Sequence, residues 1–385
     1  MLRRPLLPLT SLLWGLQFSF LSPSLALILV TLYDATPGEV AWTLALYNAA
    51  GFVVSLVVPA WADRRREYLW PMLAAAALTV LLAVSLALAT SLPWATVALV
   101  VIGAPAGVGV SMIFAQLAHG GATTAELMNN RAVYSFAWVA GPPIATALIG
   151  WFGDRAILYA FALLGLGAAA TTLALIRQRR RRAAAPERAK PAIEQVAEPA
   201  RQSSGRLAVI IVAFVLIQAT NAATTAVLTL FVAEGLGLPL LWAGLALSLA
   251  AALEIPALVW LGRLSERHSL VGLMLFGCLA GLVYCIGLAF VREPWQLLAL
   301  QMPNAVFVAV LSGIGMALFQ HIIAGPGLAT GTFGNTRRVA NILTGPLIGL
   351  AATPLGYPAV FLACAGLMIV GGLTLALVGG RTSRT

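Results

Sequence analysis

Apolar runs of about 18 residues or more recur along the whole of this 385-residue chain. Nothing else in the sequence restricts the fold as much. Backbone in hydrocarbon must satisfy every N–H and C=O internally, so such runs become α-helices. A membrane β-barrel would show alternating segments of about ten residues instead. Twelve spans are legible, at 8–32, 40–61, 70–90, 94–118, 131–151, 156–177, 207–232, 239–262, 270–291, 295–322, 337–353 and 358–379. Turn residues punctuate them at Asp34 to Glu39, Leu92-Pro93, Gly150 to Asp154 and Pro354 to Pro358. Only 9% of residues are charged, against about 25% in a soluble domain. The expected class is an all-α polytopic membrane protein.

The net charge of +10 does not point to nucleic acid, because the basic residues sit in the loops and report topology. With the N-terminus in the cytoplasm, only Arg155 and Arg292 of the 23 basic residues fall outside. Both termini are then cytoplasmic, and a miscounted helix would destroy the asymmetry. The first run, Pro8 to Leu32, is too long for the apolar part of a signal peptide, and Arg3-Arg4 reads as a cytoplasmic anchor. Cys278, Cys285 and Cys364 all fall inside apolar spans, with no metal-ligand spacing, and read as packing residues.

The stretch from Arg177 to Arg206 is the one long polar segment, and it divides the chain into a six-helix bundle at 1–177, a cytoplasmic linker at 178–206 and a second bundle at 207–385. Its arginine run also suits anionic membrane lipid, at about 1 kcal/mol per charge near the surface. The two halves repeat. Asp63-Arg64 and Glu266-Arg267 are offset by 203, Gly141-Pro142 and Gly345-Pro346 by 204, and Gly107 and Gly313 by 206. Parallel six-helix halves joined on the cytoplasmic side imply the major facilitator architecture. Spans three, six, nine and twelve carry no Asn, Asp, Glu, Lys or Arg well inside, whereas the others carry such a residue or a glutamine. Every third helix is therefore expected to face lipid while the rest line a polar path.

Glu254 is the one acidic residue placed near mid-membrane, fifteen residues past Pro239 and nine before Arg263. An acid at that depth costs about 2.5–3.5 kcal/mol, so it needs water, a partner or a proton. Pro256 leaves the Ala252 carbonyl without its helical donor, an acceptor that a protonated Glu254 can use. Proton coupling is the functional reading, and a structural buried acid is the alternative. Gln218, Asn221 and Thr225 share one helical face, and Gln301 and Asn304 stand three apart. Amides both donate and accept, which suits an uncharged polyhydroxylated ligand, although helix–helix hydrogen bonding uses the same residues. Gln17, Asn48 and Gln116 extend the polar set. Tyr134 and Trp138 follow Arg131 on one face of span five, where a ring can stack on a sugar. Arg131 itself, with Asp63, Arg64, Glu266 and Arg267, reads as a gating or charge-cluster group near the cytoplasmic side. His119, His268 and His321 are scattered at helix ends, which argues against a membrane enzyme and against a metal site.

These residues resemble the sugar efflux transporter family of the major facilitator superfamily. The likeness is carried by Arg131-Ala132 with Ser135, Ala137-Trp138 and Gly141-Pro142-Pro143, by Gly235 to Pro239, by Leu253-Glu254-Ile255-Pro256, and by Asn304 to Phe307 with Gly313 to Met316 and Phe319-Gln320. The resemblance implies a bacterial inner-membrane exporter of sugars or glycosides that exchanges them for protons and works as a monomer. It needs no cofactor beyond the proton gradient. It makes Asn221, Glu254, Asn304 and Gln320 the leading cavity residues. Two departures stand out: Pro59 and Arg66 take the places of the usual glycines after span two, and Val227 stands where relatives would carry an acid. Efflux of hydrophobic drugs by proton antiport on the same fold is the rival reading.

Overall fold

A computed structural model describes residues 6–184, 204–239 and 241–379. Its helical segments are α1 (Leu6–Tyr33), α2 (Pro37–Arg65), α3 (Leu69–Leu88), α4 (Leu92–His119), α5 (Thr124–Phe152) and α6 (Ala156–Ala184), then α7 (Ser204–Leu230), α8 (Leu241–Leu264), α9 (Leu270–Ala289), α10 (Pro294–Ile322), α11 (Pro326–Leu355) and α12 (Tyr357–Gly379). Among the described residues, 9 helices are long and apolar enough to cross a membrane, and α1, α5 and α11 complete the twelve spans read from sequence.

The largest differences from the sequence reading are at the starts of α5 and α11. Each begins several residues before its apolar run. Thr123 and Glu126 cap the start of α5 reciprocally, the Thr123 N–H donating to the Glu126 carboxylate at 3.0 Å and the Glu126 N–H to the Thr123 hydroxyl at 3.2 Å. α11 begins at Pro326, where a missing N–H costs nothing. In the expected linker, α6 continues to Ala184 and α7 starts at Ser204, while residues 185–203 lie outside the described residues.

The chain forms two compact units. The first holds Met1–Ala122, Val133–Pro199 and Ile323–Gly331, and the second holds Thr123–Ala132, Ala200–Ile322 and Thr332–Thr385. The opening turns of α5 and α11 thus each belong to the opposite unit from the rest of their helix.

In the first unit α6 packs on α1 and α3. Leu25, Leu29, Leu82, Leu86, Leu99 and Phe161 form much of its core. Small residues permit close approach. A Cβ on Gly109 of α4 would lie 1.9 Å from the Trp14 ring, so that buried ring occupies the space a side chain would need. In the second unit α12 packs on α7 and α9 around Val227, Leu228, Phe231, Tyr284, Leu288 and Phe361. Cys278, Cys285 and Cys364 are buried and free. The helices with no internal charge present bare apolar faces, such as Leu88 of α3, Leu163 of α6, Leu279 of α9 and Leu377 of α12. That is what a lipid-facing helix requires.

Three π-helical turns interrupt regular α geometry among the described residues, one of them at Phe231–Gly235 directly after α7. In α4 a π-helical turn at Leu99–Gly103 precedes Pro105, whose missing N–H leaves the Val101 carbonyl without its usual donor. In α10 a π-helical turn spans Val310–Ile314. Such turns often mark functional positions because they re-aim side chains.

Candidate functional site

α7 and α11 line an open cavity of about 360 Å³ within the second unit. From α7 it is lined by Gln218, Asn221 and Thr225, and from α11 by Arg337, Asn341 and Thr344. Ala222 and Ala226 complete the α7 wall and keep it open. The α7 set is spaced i, i+3, i+7 and the α11 set i, i+4, i+7, so each is a single helical face. The hydroxyls are partly engaged by their own helices. Thr225 donates to the Asn221 carbonyl at 2.8 Å and Thr344 to the Ala340 carbonyl at 3.0 Å. The Gln218, Asn221 and Asn341 amides make no side-chain hydrogen bond among the described residues and remain available to a ligand. Sequence reasoning found the α7 face. Arg337 counts in the sequence only among the basic residues on the cytoplasmic side, and Asn341 and Thr344 carry no site assignment there. The spacing of the α11 trio was the signal that could have found them.

Glu254 lies on α8, half-buried, and its carboxylate accepts from the Ser312 hydroxyl of α10 at 3.1 Å. Ser312 sits inside the π-helical turn of α10. A Cβ on Gly313 beside it would meet the side-chain tips of Met128 at 2.7 Å and Leu258 at 2.8 Å, which would have to shift. Ser312 was not singled out from the sequence, because an isolated serine in an apolar run carries no periodic signal.

The other amides of α10 bind each other. Asn304 donates to the Gln301 carbonyl oxygen at 2.9 Å, and Gln301 donates to the Leu297 backbone carbonyl at 2.9 Å. Both are buried, and neither is among the cavity-lining residues. Gln320 is half-buried farther along α10. In the first unit Gln17 ties three helices together: it donates to the Leu164 carbonyl of α6 and accepts from Thr79 of α3, both at 3.2 Å. Tyr134 is buried edge-on to Phe114, with ring centroids 6.4 Å apart. Trp138 and Gln116 are half-buried, and the exposed Asn48 donates back to the Leu44 carbonyl at 2.8 Å.

The charged residues after α2 have a defined arrangement. The Asp63 carboxylate accepts from the backbone N–H groups of Gly327 and Leu328 at 2.8 and 2.7 Å, and from the Tyr68 hydroxyl at 2.7 Å. An anion at a helix N-terminus satisfies donors that have no partner within the helix. Burial, and then Asp63, push the Tyr68 phenol well above its ordinary value, so it stays a neutral donor. The approach of α11 to α2 depends on glycine. A Cβ on Gly331 would fall 2.1 Å from the Ser55 carbonyl oxygen. Arg66 caps α2 at φ +50°, a left-handed position that glycine ordinarily fills. Glu67 pairs with Arg179 at 2.8 Å. Arg64, Glu266 and Arg267 are exposed, and Arg131 is half-buried.

The sequence profile of the Major Facilitator Superfamily matches residues 7–342. Sugar efflux transporter A of Dickeya chrysanthemi is 34% identical over 234 residues, covering 60% of this chain and 57% of that protein. Sugar efflux transporter B of Salmonella typhimurium is 33% identical over 232 residues, with the same coverage of 60% and 57%. A Deinococcus radiodurans protein, named provisionally for the same family, is 30% identical over 376 residues and 94% of each chain.

The chain belongs to the sugar efflux transporter family of the Major Facilitator Superfamily.

As a member of that family it is a multi-pass membrane protein, although the chain spans only 57% of the length of the first two relatives. Solved structures agree on the fold of this sugar efflux family member. A bacterial homologue of the iron transporter ferroportin, in its outward-facing state, superposes with a TM-score of 0.75 at 15% identity, covering 98% of this chain and 99% of the other. The E. coli Fucose:proton symporter gives a TM-score of 0.75 at 13% identity, covering 97% of each.

Proposed function

We propose that this chain is a secondary active transporter that exports sugars or small glycosides across the bacterial inner membrane. It exchanges them for protons by alternating access, without a cofactor or an enzymatic step. The observation that carries this reading is the amide-lined cavity between α7 and α11 in a chain related to named sugar efflux transporters. Gln218, Asn221 and Asn341 offer both donors and acceptors, which is what a ring of hydroxyl groups needs. A volume of about 360 Å³ falls within the range of small-ligand sites. Glu254 carries the proton. It is the acid held within α8, and its carboxylate accepts from the Ser312 hydroxyl on an irregular turn. An acid inside a membrane span needs water, a partner or a proton.

The test is flux in proteoliposomes holding the full chain. A labelled panel of lactose, glucose and a thiogalactoside is loaded, and a pH gradient is imposed. Gradient-stimulated efflux of at least one sugar, lost in Glu254→Gln, is the expected result. Absence of flux for every sugar, with a monodisperse protein, overturns the sugar reading. Equal flux in wild type and Glu254→Gln removes Glu254 from the coupling.

A further inference from the structure

The cavity contains one charged group. Arg337 lines it with no carboxylate among the lining residues, and it makes no ion pair or hydrogen bond among the described residues. Its neighbour Arg338 is engaged differently, donating to Asn335 at 2.8 Å. Of the two consecutive arginines, the one facing the cavity is the one with no side-chain partner among the described residues. A neutral sugar would satisfy the amides and leave the guanidinium unmatched. We infer that this cavity selects an acidic sugar, one whose carboxylate pairs with Arg337 while its hydroxyls meet Gln218, Asn221 and Asn341. The inference rests on the reading of the chain as a sugar exporter and narrows its substrate class.

The geometry supports one end-to-end orientation. Arg337, Asn341 and Thr344 follow one another along α11, so the charged end and the hydroxyl end of the lining lie about 10 Å apart at about 1.5 Å rise per residue. That length suits a uronic acid or a disaccharide with an acidic end group. The planar guanidinium fork matches a carboxylate with two parallel hydrogen bonds, which a single hydroxyl cannot provide. A hexuronate differs from its hexose only at C6, where a CH₂OH becomes a carboxylate. The predicted discrimination therefore comes from one group and one residue. Exporting an anion also places the inside-negative membrane potential behind the outward step.

The experiment compares labelled galacturonate with labelled galactose in proteoliposomes of the full chain, for wild type, Arg337→Gln and Arg337→Lys. Each variant is first shown to be monodisperse. The expected wild-type result is a kcat/KM at least tenfold higher for galacturonate. In Arg337→Gln the acid-to-neutral ratio falls tenfold or more, and Arg337→Lys retains an intermediate ratio because it keeps the charge but not the fork. Galactose moving while galacturonate does not would overturn the inference and leave the sugar-export reading standing. An Arg337→Gln variant that lowers both sugars alike, with the ratio unchanged, would also overturn it, since Arg337 would then be serving hydroxyls. If neither these two sugars nor any of the neutral panel moves, the export reading fails and takes this one with it.

Discussion

The Ser312 hydroxyl reaches the Glu254 carboxylate at 3.1 Å, joining α10 to α8 at a turn where α10 leaves regular α geometry. A regular helix would shift the phase of every residue beyond that turn, so the irregularity and the contact belong together. The pair is expected to be energetically coupled by about 0.6 kcal/mol, the average for side-chain hydrogen bonds in membranes. A double-mutant cycle with Glu254→Gln and Ser312→Ala, read by thermal unfolding in detergent, measures it. Strict additivity of the two substitutions would show that the contact contributes nothing.

Cavity amides and packing amides should separate experimentally. Asn221→Ala and Asn341→Ala are expected to raise KM for the transported sugar about tenfold each, since each removes hydrogen bonds worth about 0.5–1.5 kcal/mol apiece. Neither should lower the melting temperature much, because neither amide holds another side chain among the described residues. Gln17→Leu should do the reverse. It breaks the link among α1, α3 and α6 and lowers the melting temperature, with KM unmoved. A KM effect from Gln17→Leu equal to that of Asn221→Ala would place Gln17 back in a substrate role.

Asp63→Asn removes a charge from the start of α11 and one of the acceptors that serve Gly327 and Leu328. A carboxylate in this position contributes about 0.3–1 kcal/mol, and up to about 2 kcal/mol where partly buried. The expected outcome is a lower melting temperature together with altered flux. Tyr68→Phe should show a smaller loss in the same direction, since it removes one of the three bonds to the carboxylate. A larger loss from Tyr68→Phe than from Asp63→Asn would contradict this ranking.

Gly109→Ala tests the seat of Trp14. The added methyl would lie 1.9 Å from the ring, so the helix or the ring must move. Overpacking of this kind costs about 1–3 kcal/mol. Trp14→Phe added to Gly109→Ala should recover part of the loss, because the smaller ring vacates the space. Failure of the double variant to recover any stability would mean that the backbone, not the ring, sets the limit.

Arg66 holds a left-handed backbone at φ +50° without being glycine. Such a residue costs about 1 kcal/mol or somewhat more. Arg66→Gly should therefore be more stable than Arg66→Ala by about 1 kcal/mol, a comparison in which the lost charge cancels. Equal melting temperatures for the two variants would show that no strain is stored there.

Much of the candidate site was half legible from sequence. The spacing of Gln218, Asn221 and Thr225 put them on one face, and the cavity opens on that face. The spacing of Gln301 and Asn304 was as suggestive, yet these two bind each other. Periodicity reports which residues share a face but not what the face meets. Arg337 shows the same limit from the other side. As an arginine near a helix end it was indistinguishable from its topology-setting neighbours, and only the position of α11 beside α7 gave it a cavity.

The sequence by itself determined the helical class and the succession of apolar spans. Hydrocarbon imposes those through composition alone, because any backbone there must be helical and any outer face apolar. The tertiary structure decided the rest: which amides meet a ligand and which meet one another, that Ser312 reaches Glu254, and that the first turns of α5 and α11 join the opposite units. These depend on the rotation and depth of each helix against its neighbours. Close packing around glycines such as Gly109 and Gly331 sets both, and that is a property of pairs of helices rather than of any one stretch of chain.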